Sequence, residues 1–285
     1  MRKKNLGWHL TALIVSVLAF IGYIQITIMR TDTQAPVIEM ETAEIAVSVK
    51  DPESALLQGI SAYDAQDGDV LHSVIIESIY GMTEDHRATV TYAAFDKAGN
   101  VAKAQRQVHY TDYRSPRFTL SAAPVFEFGD NVDIMEFIGA NDVIEGNIQR
   151  RVKATIMSKT TTISKEGIHD VQFRVTNSMG DSSDIILPVE VYASDTYDAE
   201  LTLSNYLIYV SKGETVNPHA YLSEFTYGAE VISLSGGDNE KLEITINGSV
   251  NTNTPGVYPI AYTAEYTLNN RVHTAYTKLI VVVEG

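Results

Sequence analysis

The chain has no cysteine, so no disulfide staples it and no thiolate is on hand as a metal ligand or nucleophile. Positive charge is also scarce. Only 21 Lys and Arg stand against 36 Asp and Glu, a net charge of −15. Three of those 21, Arg2, Lys3 and Lys4, precede the one long apolar run, which leaves 18 basic groups against 36 acidic ones across the rest. Such a surface repels phosphate backbones, so nucleic acid is excluded as a partner and cations or a basic partner fit better. Sequence motifs of catalysis are missing too. There is no G-x-S-x-G elbow and no phosphate-binding Walker loop. The seven histidines include no pair at H-x-H or H-x-x-x-H spacing, so no zinc site is indicated. An enzyme is not expected.

What is present begins with residues 7–29, GWHLTALIVSVLAFIGYIQITIM, which carry no formal charge. At ~1.5 Å per residue these residues span a hydrocarbon core of ~30 Å with some tilt. The exit, IQITIMRTDTQAP, lacks the small-x-small pattern of a cleaved leader, which favours a retained anchor over a signal peptide. Basic residues stay on the cytoplasmic side, so residues 1–6 form a short cytoplasmic tail and everything past the anchor lies outside the cytoplasmic membrane.

Beyond Thr31 no long segment has a helical period. Short alternating runs take its place, such as Ala88-Thr-Val-Thr-Tyr-Ala-Ala-Phe95, Asp170-Val-Gln-Phe-Arg-Val-Thr176 and Gly256-Val-Tyr-Pro-Ile-Ala-Tyr-Thr-Ala-Glu-Tyr266. Every second residue is apolar, the pattern of a half-buried strand. The final run, Lys278-Leu-Ile-Val-Val-Val283, reads as a strand buried on both faces. Asp51-Pro-Glu-Ser-Ala-Leu-Leu-Gln58 and Ile134-Met-Glu-Phe-Ile138 read as short helical connections.

The same punctuation recurs along the chain. Ala62-Tyr-Asp64-Ala-Gln-Asp67-Gly68-Asp69-Val70 matches Ala140-Asn-Asp142-Val-Ile-Glu145-Gly146-Asn147-Ile148. Val90-Thr-Tyr92, then Asp96 and Gly99-Asn100, match Val171-Gln-Phe173, then Asn177 and Gly180-Asp181. Asp64 to Asp142 is 78 positions and Asp96 to Asn177 is 81, so the period is that of a small sandwich. A looser third copy aligns Gly256-x-Tyr258-x-Ile260-x-Tyr262 with Gly167-x-His169-x-Val171-x-Phe173, lacks the acidic loop, and puts Asn269 where Gly99 and Gly180 stood. The expected fold is all-β: tandem immunoglobulin-like β-sandwiches after one N-terminal transmembrane helix. The expected domains are 1–6 (tail), 7–29 (anchor), 30–113, 114–193 and 194–285, the last divergent.

With Asp32-Thr-Gln-Ala-Pro36-Val-Ile38 at its start, Ala62 to Val70 in its middle and Val90 to Asn100 near its end, the first copy resembles the bacterial surface immunoglobulin-like repeats, including accessory modules of some pesticidal crystal proteins. It departs where Gly-x-Tyr should precede Val90, since His86 and Ala88 stand there. The second copy matches less well, and the third only in its G-x-Y-x-I-x-Y strand. The resemblance implies a β-sandwich and a surface role as spacer, scaffold or adhesin, and it implies no reaction.

One candidate site stands out. Asp64, Asp67 and Asp69 crowd one loop and Asp96 and Asn100 another, all with hard oxygen ligands of the kind Ca²⁺ takes. The same residues are also turn formers, because Asx side chains bond their own backbone and Gly supplies positive φ. Both readings stay open from the sequence, and no other cofactor is indicated. The tyrosines of the third copy, Tyr258, Tyr262 and Tyr266 among them, pack inward or form an aromatic binding face. The expected function is a non-catalytic, membrane-anchored, extracytoplasmic scaffold, spacer or adhesion module on the bacterial cell surface. Its partner is a protein or cell-wall glycan, and the membrane is engaged through the N-terminal helix. The alternative is an accessory, partner-recruiting subunit of an envelope polysaccharide-processing enzyme.

Overall fold

The apolar run forms one helix, Lys4–Arg30. Its segment Gly7–Ile26 has mean hydropathy 1.9 and none of it is buried against the rest of the chain. The computed structural model describes residues 4–30, 32–130, 133–157, 165–234 and 242–285; Arg2 and Lys3 of the basic cluster lie outside the described residues. Everything described after the helix is strand, turn or short 3-10 helix.

The chain divides into two compact units, Met1–Asp112 and Tyr113–Gly285. After the helix, the first unit holds two sheets. One pairs Val37–Met40, Ile60–Asp64 and Gly68–Asp69 in that order. The other has four strands in the order Glu44–Val47, Val101–Tyr110, Arg87–Phe95 and Ile75–Tyr80. Its first strand runs parallel to the last strand of the unit, with Ile45 opposite Val108. All other pairings are antiparallel. The opening stretch of chain thus serves one sheet and then the other, as in an immunoglobulin-like sandwich. Val90, Tyr92, Ala94 and Val108 are fully buried, as the alternation in Arg87–Phe95 requires.

The second unit repeats this arrangement twice. Its first pair of sheets joins Arg117–Leu120, Ile138–Asp142 and Gly146–Asn147 on one side. On the other are Val125–Glu127, Ser182–Tyr192, Gly167–Thr176 and Lys153–Ile156, and Val125–Glu127 is again the parallel strand. Phe118, Ile138 and Ala140 of one sheet pack on Val171, Phe173 and Leu187 of the other. The second pair joins Glu200–Leu203, Leu222–Tyr227 and Glu230–Ser233 against Leu207–Val210, Arg271–Val283, Gly256–Leu268 and Leu242–Asn247. The third copy keeps the strand order despite its divergent sequence. Tyr262 and Tyr266 point into this core beside Phe225, which makes them packing residues. Their hydroxyls reach the Pro218 carbonyl at 3.0 Å and Glu230 Oε2 at 3.5 Å.

The reading of 278–283 as buried on both faces holds, and the reason is visible. Leu279, Val281 and Val283 enter the core of their own sandwich, while Ile280, pointing the other way, joins the core of the preceding one together with Leu207. Polar bonds cross the same junction. Lys278, 5% exposed, pairs with Glu190, which also accepts from the Tyr276 hydroxyl at 2.9 Å. Arg117 pairs with Glu284 and lies over the Tyr209 ring. Both short connections read from the sequence are single 3-10 turns, Glu53–Leu57 and Ile134–Glu136.

Candidate cation-binding site

Strand alternation brings the acidic residues together. In Ile60–Asp64 the inward positions are Ile60, Ala62 and Asp64, so the period that places two apolar side chains in the core also buries a carboxylate at the strand end. Asp64 is 1% exposed. Asp96, 8% exposed, follows the end of strand Arg87–Phe95. Asp32 lies on the segment entering the sandwich. One carboxylate oxygen from each of Asp32, Asp64 and Asp96 lies within 4.8 Å of the other two.

Asp32 and Asp64 each use one oxygen in local bonds, whereas Asp96 uses both. Asp64 Oδ1 accepts the amides of Gln66 and Asp67 at 2.8 and 2.9 Å, an Asx turn that starts the loop. Asp32 Oδ1 accepts from Gln34 N at 3.0 Å. Asp96 Oδ1 accepts from Asn100 N and its Oδ2 from the Asn100 side-chain amide, both at 2.7 Å. The remaining oxygens, Asp32 Oδ2 and Asp64 Oδ2, are buried and have no hydrogen-bond donor among the described residues. No lysine or arginine among the described residues forms an ion pair with any of the three. Burial pushes the Asp96 carboxyl up, but the bonds from Asn100 and from the Gly99 and Ala98 amides outweigh it. Asp96 therefore ionises below the ordinary carboxylate range.

The five residues expected from the sequence separate into two groups. Asp64 and Asp96 meet in the cluster. Asn100 sits beside them as a fastener, its amide nitrogen donating to Asp96 and to the carbonyls of Asp32 and Gln34 at 3.2 and 3.1 Å. Asp67 and Asp69 do not enter the cluster. Asp67 accepts the Lys97 amide at 2.8 Å and its ammonium at 3.0 Å, bonds that hold its carboxyl below the usual range. Asp69 Oδ1 accepts the Leu71 amide at 2.9 Å. Asp32, the third member of the cluster, is not among the five. The signal for it was the Asp-x-x-x-Pro entry, which reads as a strand start until the fold closes the entry onto the two loops.

The second repeat supplies an internal comparison. Asp142 makes the same Asx turn to Ile144 and Glu145, at 2.8 and 2.9 Å. Glu145 accepts the Ser178 amide as Asp67 accepts that of Lys97, and Asn147 accepts from Gln149 as Asp69 does from Leu71. The acidic loop is thus a conserved piece of turn chemistry within this chain, whatever its charge. The difference lies at the centre. Asn177 stands in place of Asp96, and its amide donates to Asp142 Oδ2 at 2.9 Å and to the Tyr113 hydroxyl at 2.7 Å. Tyr113 in turn donates to Asp181 Oδ2 at 2.8 Å. The Asp142 oxygen equivalent to the unpartnered one of Asp64 is satisfied by a neutral donor.

No protein-family model matches the chain, and no curated protein matches it significantly. Among solved structures it is similar to the extracellular domain of protocadherin gammaB4, at 11% identity over 87% of this chain and TM-score 0.21. It is also similar to repeats EC1-4 of Drosophila N-cadherin, at 12% identity over 90% of this chain and 76% of that one, TM-score 0.23. A third is the structure of CBM51-2 in complex with GlcNAc and INT domains from Clostridium perfringens ZmpB, at 14% identity over 87% of this chain and 44% of that one, TM-score 0.22. The chain spans 49% of the protocadherin structure it matches.

Proposed function

We propose that this chain is a non-catalytic scaffold or adhesion module anchored in the bacterial cytoplasmic membrane, with its immunoglobulin-like sandwiches held outside. The observation that carries the reading is the helix. All twelve of the large apolar side chains described between Gly7 and Ile26 are exposed, Trp8 at 78% and Leu13 at 61% among them. A 20-residue apolar cylinder that none of the described residues covers matches the thickness of a bilayer core, and lipid is the solvent that accepts it. The basic residues before it face the cytoplasm under the positive-inside rule. The body beyond it offers an acidic surface of strands and loops, suited to contact with a protein or cell-wall glycan and unsuited to nucleic acid.

The test is the fate of the helix. Expressed in a bacterium, the chain is expected in the membrane pellet after alkaline carbonate washing, with the intact mass of 31.4 kDa. A shortened chain lacking the apolar segment and recovered in the soluble fraction would show a cleaved leader and overturn the anchor.

A further inference from the structure

We propose that Asp32, Asp64 and Asp96 bind a calcium ion, and that this ion fastens the chain leaving the helix onto the first sandwich. Three carboxylates from three separate segments converge, one oxygen of each within 4.8 Å of the others. Oxygens bound to one Ca²⁺ at about 2.4 Å lie at most ~4.8 Å apart, so all three fit on a single coordination sphere. Proximity alone is common among acidic residues. The second observation is that Asp64, 1% exposed, ends in an oxygen with no donor among the described residues, and so does Asp32. A buried, unpaired carboxylate oxygen is costly, and native structures normally satisfy it.

The second repeat shows what satisfaction without an ion looks like. There Asn177 replaces Asp96, one carboxylate is lost, and the amide of that same residue fills the vacant bond to Asp142. The first repeat keeps the charge and omits the donor. Its one lysine near the loop, Lys97, is committed to Asp67. Asp69, exposed and occupied with Leu71, has no part in the site. Asn100 acts as a positioning residue: its amide holds Asp96 and the backbone of Asp32 and Gln34 in one place. Because Asp32 follows the helix end at Arg30 by two positions, its coordination ties the exit of the helix to two loops of the sandwich.

The experiment is calorimetric titration of Ca²⁺ into the full chain, held in detergent and stripped with EDTA. One ion per chain is expected, saturating by about 1 mM, the range of extracellular calcium modules. Asp64→Asn and Asp96→Asn should each weaken binding at least tenfold, whereas Asp142→Asn, at the matching position of the second repeat, should leave it unchanged. Asp96→Asn copies the residue the second repeat already uses, so the fold accommodates it. In parallel, hydrogen exchange of residues 32–36 should slow when Ca²⁺ replaces EDTA, and Asp32→Asn should abolish the slowing. Absence of saturable binding at about 10 mM Ca²⁺, ten times that range, overturns the site. So does binding that survives both Asp64→Asn and Asp96→Asn or is lost in Asp142→Asn. Binding with unchanged exchange at 32–36 overturns the fastening role.

Discussion

A single side chain decides more here than its position in a motif suggests. Asp64, Asp67 and Asp69 crowd one loop, yet of the three only Asp64 is inward by strand alternation and only it is left with a buried oxygen that has no donor among the described residues. Spacing made the group legible as oxygen ligands or turn formers. It could not show which oxygens the turns would consume, because that depends on backbone amides from other loops, such as Lys97 N on Asp67. Arg106 is a second case. It reads as one more polar residue on an alternating strand, but it is 2% exposed and donates to the carbonyls of Leu56 and Gln58 and to the Tyr92 hydroxyl. That hydroxyl itself donates to Leu56 O at 2.7 Å. Tyr92→Phe removes a buried hydroxyl that serves both partners and should cost about 1–3 kcal/mol in urea unfolding of the full chain, with little change in far-ultraviolet circular dichroism. An unchanged unfolding free energy would show that the triad is slack.

Among elements, the hairpins carry the clearest sequence signature. Gly99 and Gly180 both adopt φ of +90°, and the third copy, which has Asn269 there, solves the same need differently. Leu268 pairs with Arg271, and the two residues between them, Asn269 and Asn270, have φ of +50° and +60°. This is a two-residue turn with both central residues left-handed, the form that suits the twist of a hairpin and that asparagine tolerates. Asn270→Gly should therefore be neutral or slightly stabilising, and Asn270→Val should destabilise by roughly 1–2 kcal/mol, since a β-branched residue is strained at positive φ. Thermal melting of the two variants checks the sign. Period-two patterning located Arg87–Phe95, Gly167–Thr176 and Gly256–Leu268 because each has one face in a core. Two-residue strands such as Gly68–Asp69 were legible only as turns, being too short to show a period.

At the scale of the whole molecule, the repeat itself was legible and the packing between its second and third copies was not. Continuous apolarity in 278–283 announced a second buried face, but only the structure shows that Ile280 enters the neighbouring core and that Lys278 and Glu190 are paired beside it. Lys278→Ala leaves Glu190 with the Tyr276 hydroxyl alone. Because the Glu190 side chain stays 25% exposed, this should destabilise Tyr113–Gly285 by about 1–3 kcal/mol in chemical denaturation, less than the cost of breaking a fully buried ion pair from one side. Acid should act on both units. Asp67, Asp96, Asp112, Glu145 and Asp198 all ionise below their ordinary values of 3.8 or 4.5, so each binds its proton less readily folded than unfolded. Their contribution is complete above the ordinary values and is lost as pH falls through the lower folded ones, so the melting temperature should hold from neutral pH to about 5 and drop below about 4. A melting temperature that rises on acidification would contradict this. An anchored surface module requires its sandwiches to lie outside the membrane. Because the chain has no cysteine, single substitutions report this directly through a membrane-impermeant maleimide on intact bacterial spheroplasts. Glu243→Cys, at an exposed position of the last sandwich, should label at once, and Asn5→Cys, before the apolar segment, only after the cells are permeabilised. Labelling of Asn5→Cys with protection of Glu243→Cys, or equal protection of both until lysis, would contradict an anchored body outside the cell.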